Sequence, residues 1–442
     1  MSSPAALPHA PGLAIRGVRY PVVLPSIRDP RLHLAVVIVS LQVLGQVAFD
    51  FRLSIAQILI SVGTCAILEV AIVLRRQRAL VWPASALLTG NGVAFILRVP
   101  GTEHGDWWSL NGWWIFAGTA AVSLLSKYVI RFRGAHVFNP SNFGLVLCFL
   151  LLGSARADPL DFWWGPLSPA LALALAIIVV GGVVILSRLG LLAMAVAFWL
   201  AFAAALAVVA ATGHAMSAKW HFGPVTGLEL WTILVTSPEI LVFLFFMLTD
   251  PKTVPAGRKG RVVFAVAVAL LAVLLIAPAR TEFWAKVAVL GALTIACAAR
   301  PLLAMLPSIR PARWRLTVVA AAGLAAYAAV LVAAGLPARP GAAAAAAVAP
   351  SVRLPPIVVR PSRGVDSTID RRTARQIAAD VVADLPRRRL GIARVRRITL
   401  WLEAGRGQGP VVFALLEGVP RGRETVELKL SRDGYTIGRI RS

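Results

Sequence analysis

The chain has 442 residues, of which 58% are hydrophobic and only 15% are charged, and its mean hydropathy is +0.77. This composition leaves too little polar surface for a soluble globular protein and indicates a polytopic membrane protein. The formal net charge of +25 could suggest a nucleic-acid-binding protein. However, the basic residues concentrate in loops on one side of the predicted membrane helices, as the positive-inside rule requires, so we expect no nucleic-acid partner.

The first apolar run is preceded by a basic, proline-rich segment, residues 1–32, in which we expect no cleavable signal peptide. Later apolar runs are long enough, at roughly 17 to 25 residues, to cross a bilayer. We predict about eleven crossings, at residues 34–50, 53–74, 79–98, 112–126, 136–153, 167–187, 190–212, 228–249, 261–278, 283–299 and 315–336. The charge distribution predicts a bacterial plasma-membrane protein with a cytoplasmic N-terminus, and the odd number of crossings places its C-terminal domain outside the cytoplasm.

The chain divides into segments of different composition. We predict membrane repeat 1 at residues 33–155, membrane repeat 2 at 156–312 and an additional transmembrane helix at 313–336. A Pro/Ala-rich linker follows at 337–365, and residues 366–442 show the pattern of a helix followed by alternating strands. The predicted fold is therefore an all-α polytopic membrane protein of 10 or 11 transmembrane helices in two inverted repeats, with a small C-terminal α+β domain.

Two short polar passages interrupt the apolar chain, one in each predicted repeat. The first break is residues 136–144, HVFNPSNFG, and the second break is residues 247–255, MLTDPKTVP. A proline beside Asn or Asp, next to a long apolar run, is typical of a broken membrane helix that lines an internal site. We expect inverted repeats to bring the breaks, in corresponding places, face to face near the membrane midplane, where free helix-end amides and carbonyls can hold an ion or a small solute.

Polar side chains of the two breaks, with one acidic residue that follows another proline, are the candidate site residues. They are His136, Asn139, Asn142, Thr249, Asp250, Lys252, Thr253 and Glu239. Asn139, Asn142 and Asp250 either cap helix ends or line a ligand site. Glu239 follows Ser-Pro and could lie at another helix break, whereas Glu69 lies near the inner end of its run and could extend its carboxylate to the membrane surface.

Asp250 is the most specific candidate, because an ionisable group at membrane depth is usually paired or functional. Lys252, Lys127 or Arg131 could neutralise its charge. His136 could relay a proton, or it could be a hydrogen-bonded structural histidine at the start of a helix.

Motifs of independent catalysis are absent from the sequence. It contains no phosphate-binding glycine-rich loop, no histidine-rich metal spacing and no nucleophile elbow. The three cysteines, Cys65, Cys148 and Cys297, lie in apolar runs at a spacing that supports neither disulfides nor a metal site. We therefore expect no metal and no independent enzymatic activity.

The regions around the two breaks resemble the two signature regions of the NqrB/RnfD family. They are residues 127–144, KYVIRFRGAHVFNPSNFG, and residues 245–253, FFMLTDPKT, the latter followed by GRKGR at 257–261. Members of that family are membrane subunits of sodium-pumping NADH:quinone oxidoreductases and of ferredoxin:NAD oxidoreductases. The resemblance covers roughly residues 30–310 and is strongest to the divergent UnbU-like branch, which is found with enediyne biosynthesis genes in actinobacteria.

Redox members of this family carry FMN covalently on the threonine of a Ser-Gly-Ala-Thr type sequence, which this chain lacks. Its nearest sequences are Thr212-Gly213 and Val225-Thr226-Gly227. The resemblance therefore implies two alternatives. One is a transport or accessory subunit with a central ion or solute site, linked to specialised-metabolite biosynthesis. The other is an electron-transfer subunit that binds riboflavin or FMN noncovalently and works with other membrane subunits as a part of an ion-translocating oxidoreductase.

Overall fold

The computed structural model describes most of the membrane part of the chain and parts of the C-terminal region. The described residues are 12–15, 18–26, 29–159, 168–217, 224–305, 355–361, 369, 374–375, 377–378, 394–403, 411–419, 425–431 and 434–441. The additional transmembrane helix predicted at 313–336 and most of the linker predicted at 337–365 lie outside these residues.

The membrane part is helical. Its elements are α1 (Pro30–Ala48), α2 (Ile55–Gln77), α3 (Ala84–Ile96), α4 (Trp113–Val129), α5 (Pro140–Leu152), α6 (Pro169–Leu189), α7 (Leu192–Ala211), α8 (Gly227–Thr236), α9 (Pro238–Val242), a π turn (Phe243–Met247), α10 (Arg258–Ile276) and α11 (Glu282–Met305). Among the described residues, seven spans are long and apolar enough to cross a membrane, counting Gly227–Met247 as one. The prediction of a helical, multi-pass membrane protein is thus confirmed.

Two helices are shorter than the sequence predicted. Helices α3 and α5 have 13 residues each, which corresponds to about 20 Å at the rise of an α-helix and is short of a hydrocarbon core of roughly 30 Å. After α3 the chain becomes extended, and a short strand, Leu97–Arg98, pairs antiparallel with Asp158–Pro159. The pairing satisfies backbone groups that a continued helix would otherwise have satisfied.

Polar residues set the starts of several helices. The Ser54 hydroxyl accepts the backbone N–H of Gln57, and the Gln57 side chain accepts the N–H of Ser54, which completes a capping box at α2. Asp29, Asn139 and Ser237 each cap a helix whose first residue is a proline. This combination suits a helix start, because proline lacks the N–H that the first turn leaves unpaired.

The helices pack in two groups that meet in one hydrophobic core. In the first group, α2 packs against α3 and α4, and α4 packs against α5; in the second, α7 packs against α8 and α10, and α10 packs against α11. The groups meet through contacts of α1 with α6 and of α5 with α11. One cluster of buried apolar side chains extends through both groups and includes the fully buried rings of Phe149 and Phe202.

The two breaks occupy different positions in the order of elements. The first break lies between α4 and α5, whereas the second lies between the π turn and α10. If α6 begins the second half, and α8, α9 and the π turn count as one element, the first break precedes the fifth element of its half and the second break precedes the fourth. This differs from the expectation that the breaks stand in corresponding places along the two halves.

The described strands outside the helices form small sheets. Near the N-terminus, Gly12–Ile15 pairs antiparallel with Val18–Val23. The C-terminal region contains a five-stranded sheet whose strands follow chain order: Ile357–Val359, Arg394–Glu403, Val411–Val419, Thr425–Ser431 and Gly434–Arg441. Its first two strands are parallel and the others are antiparallel. Helical residues Ala374, Ile377 and Ala378 are buried with Leu400 and Leu416 of this sheet, so helix and strands share a small core.

Candidate functional site

The two breaks lie side by side and line one cavity of about 440 Å³, which we call the inner cavity. The first break contributes His136, Asn139 and Ser141 to its wall, and the second contributes residues 247 and 249–252. The start of α1, one face of α3 along its length, the end of α6, Val242 of α9 and the rings of Phe245 and Phe246 complete the wall. The volume lies within the roughly 300–1,000 Å³ of ordinary small-molecule sites.

Asn139 connects the two breaks and also caps α5. Its side-chain carbonyl accepts the backbone N–H of Asn142 at 3.1 Å and the hydroxyl of Ser141 at 3.0 Å. Its side-chain amide donates to the backbone carbonyl of Met247 at 3.4 Å. The two alternatives that the sequence left open, a helix cap and a residue of the cavity wall, therefore both apply to Asn139.

His136 and Asp250 lie next to each other in the wall of the inner cavity. The Nε2 atom of His136 lies 3.6 Å from Oδ2 of Asp250, and the two side chains are only 9% and 18% exposed. The other carboxylate oxygen, Oδ1, accepts the backbone N–H of Lys252 at 3.0 Å. Asp250 thus shapes the turn after the π turn and holds a carboxylate oxygen toward the histidine of the other break.

Neither Lys127 nor Arg131, two of the three residues expected to neutralise Asp250, contacts that carboxylate in the structure. Because α4 packs against α2, the Lys127 ammonium donates to the Glu69 carboxylate at 3.0 Å. The guanidinium of Arg131 donates to the backbone carbonyl of Gly134. His136 takes their place beside Asp250.

Glu69 does not reach out to the membrane surface on its own. Its carboxylate accepts the Tyr128 hydroxyl at 2.6 Å as well as the Lys127 ammonium. Lys127 also donates to the Ser85 hydroxyl at 3.2 Å, and Ser85 lines the inner cavity. Lys127 therefore links the Glu69 carboxylate to Ser85 in the wall of the inner cavity.

The sequence analysis missed an acidic and a basic residue of the inner cavity, Asp29 and Arg31. The Arg31 guanidinium donates to both carboxylate oxygens of Asp29, with the shortest contact at 2.5 Å. The side-chain hydrogen bond from Arg31 lowers the pKa of the Asp29 carboxyl below its usual range. A signal was present, because Asp29-Pro30 repeats the Asx-Pro pattern of both breaks.

Thr249 lines the inner cavity, but its hydroxyl is already engaged, since it donates to the backbone carbonyl of Phe245 at 2.6 Å. Thr253 is fully buried, and its hydroxyl donates to the backbone carbonyl of Asp250 at 3.2 Å. The Thr253 carbonyl accepts the Arg300 guanidinium, so this residue holds the second break against α11.

Asn142 joins α5 to α11 and is absent from the wall of the inner cavity. Its amide donates to the Leu290 carbonyl at 3.0 Å and to the Thr294 hydroxyl at 2.9 Å. Glu239 lies in a second, smaller cavity, where its carboxylate is 3.6 Å from the Lys286 ammonium. The structure therefore brings together His136, Asn139, Thr249, Asp250 and Lys252 in one cavity wall.

Within the described residues, no group of three or more His, Cys, Asp and Glu side chains is placed to hold a metal ion. The three cysteines are buried as free thiols. The chemistry available in the inner cavity is accordingly that of the Asp29 and Asp250 carboxylates, the Arg31 guanidinium, the His136 imidazole, the Lys252 ammonium, hydroxyls and helix-end amides.

Comparison with known proteins adds no family assignment. No protein-family model matches the chain, and no curated protein matches it significantly. The resemblance to the NqrB/RnfD family therefore stands on the residues around the two breaks alone.

Proposed function

We propose that the protein is a transmembrane transport protein, or a transport subunit, whose inner cavity binds an ion or a small solute. The observation that carries this proposal is the one cavity lined by both proline-bearing breaks, with His136 and Asp250 side by side in its wall. Broken helices that surround ionisable side chains inside an otherwise apolar bundle are typical of transport sites.

We also propose that the membrane part is built from two inverted repeats. Matching α1 to α6, α2 to α7, α3 to α8 and α9, α4 to α10, and α5 to α11 relates most of the main helix contacts to one another. Under this matching the α2–α4 contact corresponds to α7–α10, and the α4–α5 contact corresponds to α10–α11. The α1–α6 and α5–α11 contacts each join a helix to its own match in the other half. Because each half then has five elements, an odd number, the halves cross the membrane in opposite directions.

The inner cavity faces the cytoplasm in this proposal. The loops at its end of the bundle carry Arg133, Arg258 and Lys259, and basic loops remain on the cytoplasmic side. The resemblance to the UnbU-like branch further suggests that the solute belongs to specialised metabolism and that the protein works with other membrane subunits.

Transport currents test the function. Proteoliposomes that contain the purified protein would be adsorbed on a solid-supported membrane and challenged with monovalent cations and with small anionic and neutral metabolites. We expect a current in the wild type that Asp250→Asn and Asn139→Ala both abolish while the protein remains folded. Asp106→Asn, a change in an exposed loop, is the control and should leave the current intact. An unchanged current in both cavity variants would contradict the proposed site.

Noncovalent flavin binding is a second candidate function, which the aromatic side chains in the cavity wall favour. Phe95, Phe245 and Phe246 line the inner cavity and could pack against a flat ring system. An oxidised flavin held by the protein would give the purified sample an absorption band near about 450 nm, since the spectrum belongs to the cofactor. A colourless, folded preparation would reject this second function.

A further inference from the structure

A second cavity, which we call the outer cavity, lies beside the inner one. It has a volume of about 60 Å³ and is lined by residues of α3, α8, α9, the π turn and α11. Most of its wall is apolar, but it contains Glu239 and Lys286, whose charged atoms are 3.6 Å apart. Their side chains are only 19% and 9% exposed. This is a small, mostly apolar space with one acid and one base in its wall.

The two cavities share a layer of four apolar residues in their walls, Phe95, Ile96, Val242 and Met247, which we call the apolar partition. Helix α3 begins at the inner cavity, where Ser85 lines the wall, and ends at the partition with Ile96. Helix α11 contributes only to the outer cavity, through its first turns. The cavities therefore lie on opposite sides of the partition along the bundle.

Glu239 and two of the partition residues, Val242 and Met247, lie on one irregular helical segment. Helix α8 ends at Thr236, and Ser237 caps the start of α9 at Pro238. Five residues later, at Phe243, the chain enters the π turn, where the Leu248 N–H donates to the Phe243 carbonyl at 2.9 Å. Single-turn π segments inside helices are frequent at functional sites and bend the helix that contains them.

Glu239 lies near the middle of a candidate membrane span. It lies 12 residues into the Gly227–Met247 span, or about 18 Å at the rise of an α-helix, which is near the middle of a core of roughly 30 Å. An ionisable side chain at this depth is costly unless it is paired or functional.

We propose that the inner and outer cavities are two parts of one proton path, that the apolar partition closes it in this structure, and that Glu239 is the proton acceptor on the outer side. The inference rests on the proposed transport function and names its coupling ion. The Lys286 ammonium beside the carboxylate disfavours any second cation, and a metal ion would also need several oxygen ligands, whereas a proton needs only one carboxylate oxygen. A proton can still bond to the carboxylate oxygen, which ends the ion pair with Lys286 and leaves that ammonium charged.

The size of the outer cavity also favours a proton. A volume of about 60 Å³ is room for a few waters at most, since one water needs at least about 10–15 Å³ of such space. Hydrated metal ions and metabolites exceed this size. When the partition opens, the proton leaves the Glu239 carboxyl toward the inner cavity, whose wall contains His136 and Asp250.

Proton leak tests this path. Purified protein would be placed in liposomes that contain a pH-sensitive dye, and a potassium gradient with valinomycin would supply the driving potential. We expect Phe95→Ala, which thins the partition, to raise the rate of proton entry several-fold above that of the wild type. Phe202→Ala is the matched control, because Phe202 is fully buried but lines neither cavity, and its leak should equal that of the wild type.

The double variant Phe95→Ala/Glu239→Gln decides the role of the carboxylate and should return the leak to the wild-type rate. Val242→Ala is a smaller change of the partition for use if Phe95→Ala does not fold. No leak in either folded partition variant would overturn the path, and a double variant that leaks as fast as Phe95→Ala would overturn the role of Glu239. Either result, with transport currents that still depend on Asp250, would reject this inference and leave the proposed function standing.

Discussion

His136 and Asp250 belong to different breaks of the chain, yet the histidine Nε2 lies 3.6 Å from the Asp250 carboxylate oxygen Oδ2. Asn139 supports this arrangement, because its amide donates to the Met247 carbonyl at the start of the second break. A single solvent-accessible cavity adjoins both contacts. The two polar passages therefore form one structural unit.

Gly90 allows α3 to pack closely against α2. A Cβ atom at this position would lie 2.6 Å from the Ser61 backbone oxygen and 2.7 Å from the Val62 Cα, neither of which can move without shifting α2. We expect Gly90→Ala to destabilise the protein by about 1–3 kcal/mol, as overpacking usually does. Thermal unfolding in detergent measures the effect.

Gly63→Ala is the control for this prediction, because a Cβ atom there would have no neighbour within 4 Å. Alanine favours a helix interior over glycine by up to about 1 kcal/mol, so this variant should be neutral or slightly stabilised. Equal melting temperatures for Gly90→Ala and the wild type would contradict the close packing of α2 and α3.

Asn142 holds the first break to α11. The variant Asn142→Ala removes the hydrogen bonds to the Leu290 carbonyl and the Thr294 hydroxyl, and we expect a loss of about 1–3 kcal/mol, since buried polar groups lose their partner. A double-mutant cycle with Thr294→Val checks the cause. The loss on replacing Asn142 should be smaller in the Thr294→Val background, whereas additive losses would show that the two residues do not interact.

His214 should make stability depend on pH. It lies in the turn after α7 and is only 4% exposed; burial, followed by the nearby Arg280 charge, lowers its pKa from 6.5 to about 4. The folded state thus favours the neutral ring, so the stabilisation is complete above pH 6.5 and declines as the pH falls from about 6.5 toward 4. The full shift corresponds to about 3 kcal/mol at 1.36 kcal/mol per pKa unit.

Chemical unfolding at pH 7.5 and pH 4.5 measures this dependence. The wild type should lose stability between the two values, and His214→Gln, which has no titrating group, should lose markedly less. The same loss in both proteins would assign the acid sensitivity to other residues.

Local features of the fold were predictable from the sequence, whereas pairings between distant segments were not. Asn139-Pro140 marks a helix start in the sequence and caps α5 in the structure. Asp250, by contrast, was expected to face a lysine or an arginine, because the sequence cannot say which helix packs beside which. The packing of α4 against α2 commits Lys127 to Glu69.

The short helices were overestimated for a related reason. The predicted run continues through Leu97 and Arg98, because a single arginine at the end of a long apolar run changes its mean hydropathy little. In the structure Arg98 forms a buried ion pair with Asp158, at 2.6 Å, beside the paired strands. That contact depends on a segment far away in the chain and leaves no periodic signal in the sequence.

Side-specific cysteine labelling tests most directly whether the two breaks form one accessible site. In a protein whose native cysteines are replaced by alanine, Ser141→Cys and Lys252→Cys would each be exposed to a membrane-impermeant thiol reagent from either face of sealed vesicles. Trp108→Cys, at a position 69% exposed in the loop before α4, marks the opposite face. We predict that the Ser141 and Lys252 variants are labelled from the same face and the Trp108 variant from the other. Labelling of Ser141→Cys from the Trp108 face, or from neither face, would contradict a shared inner cavity.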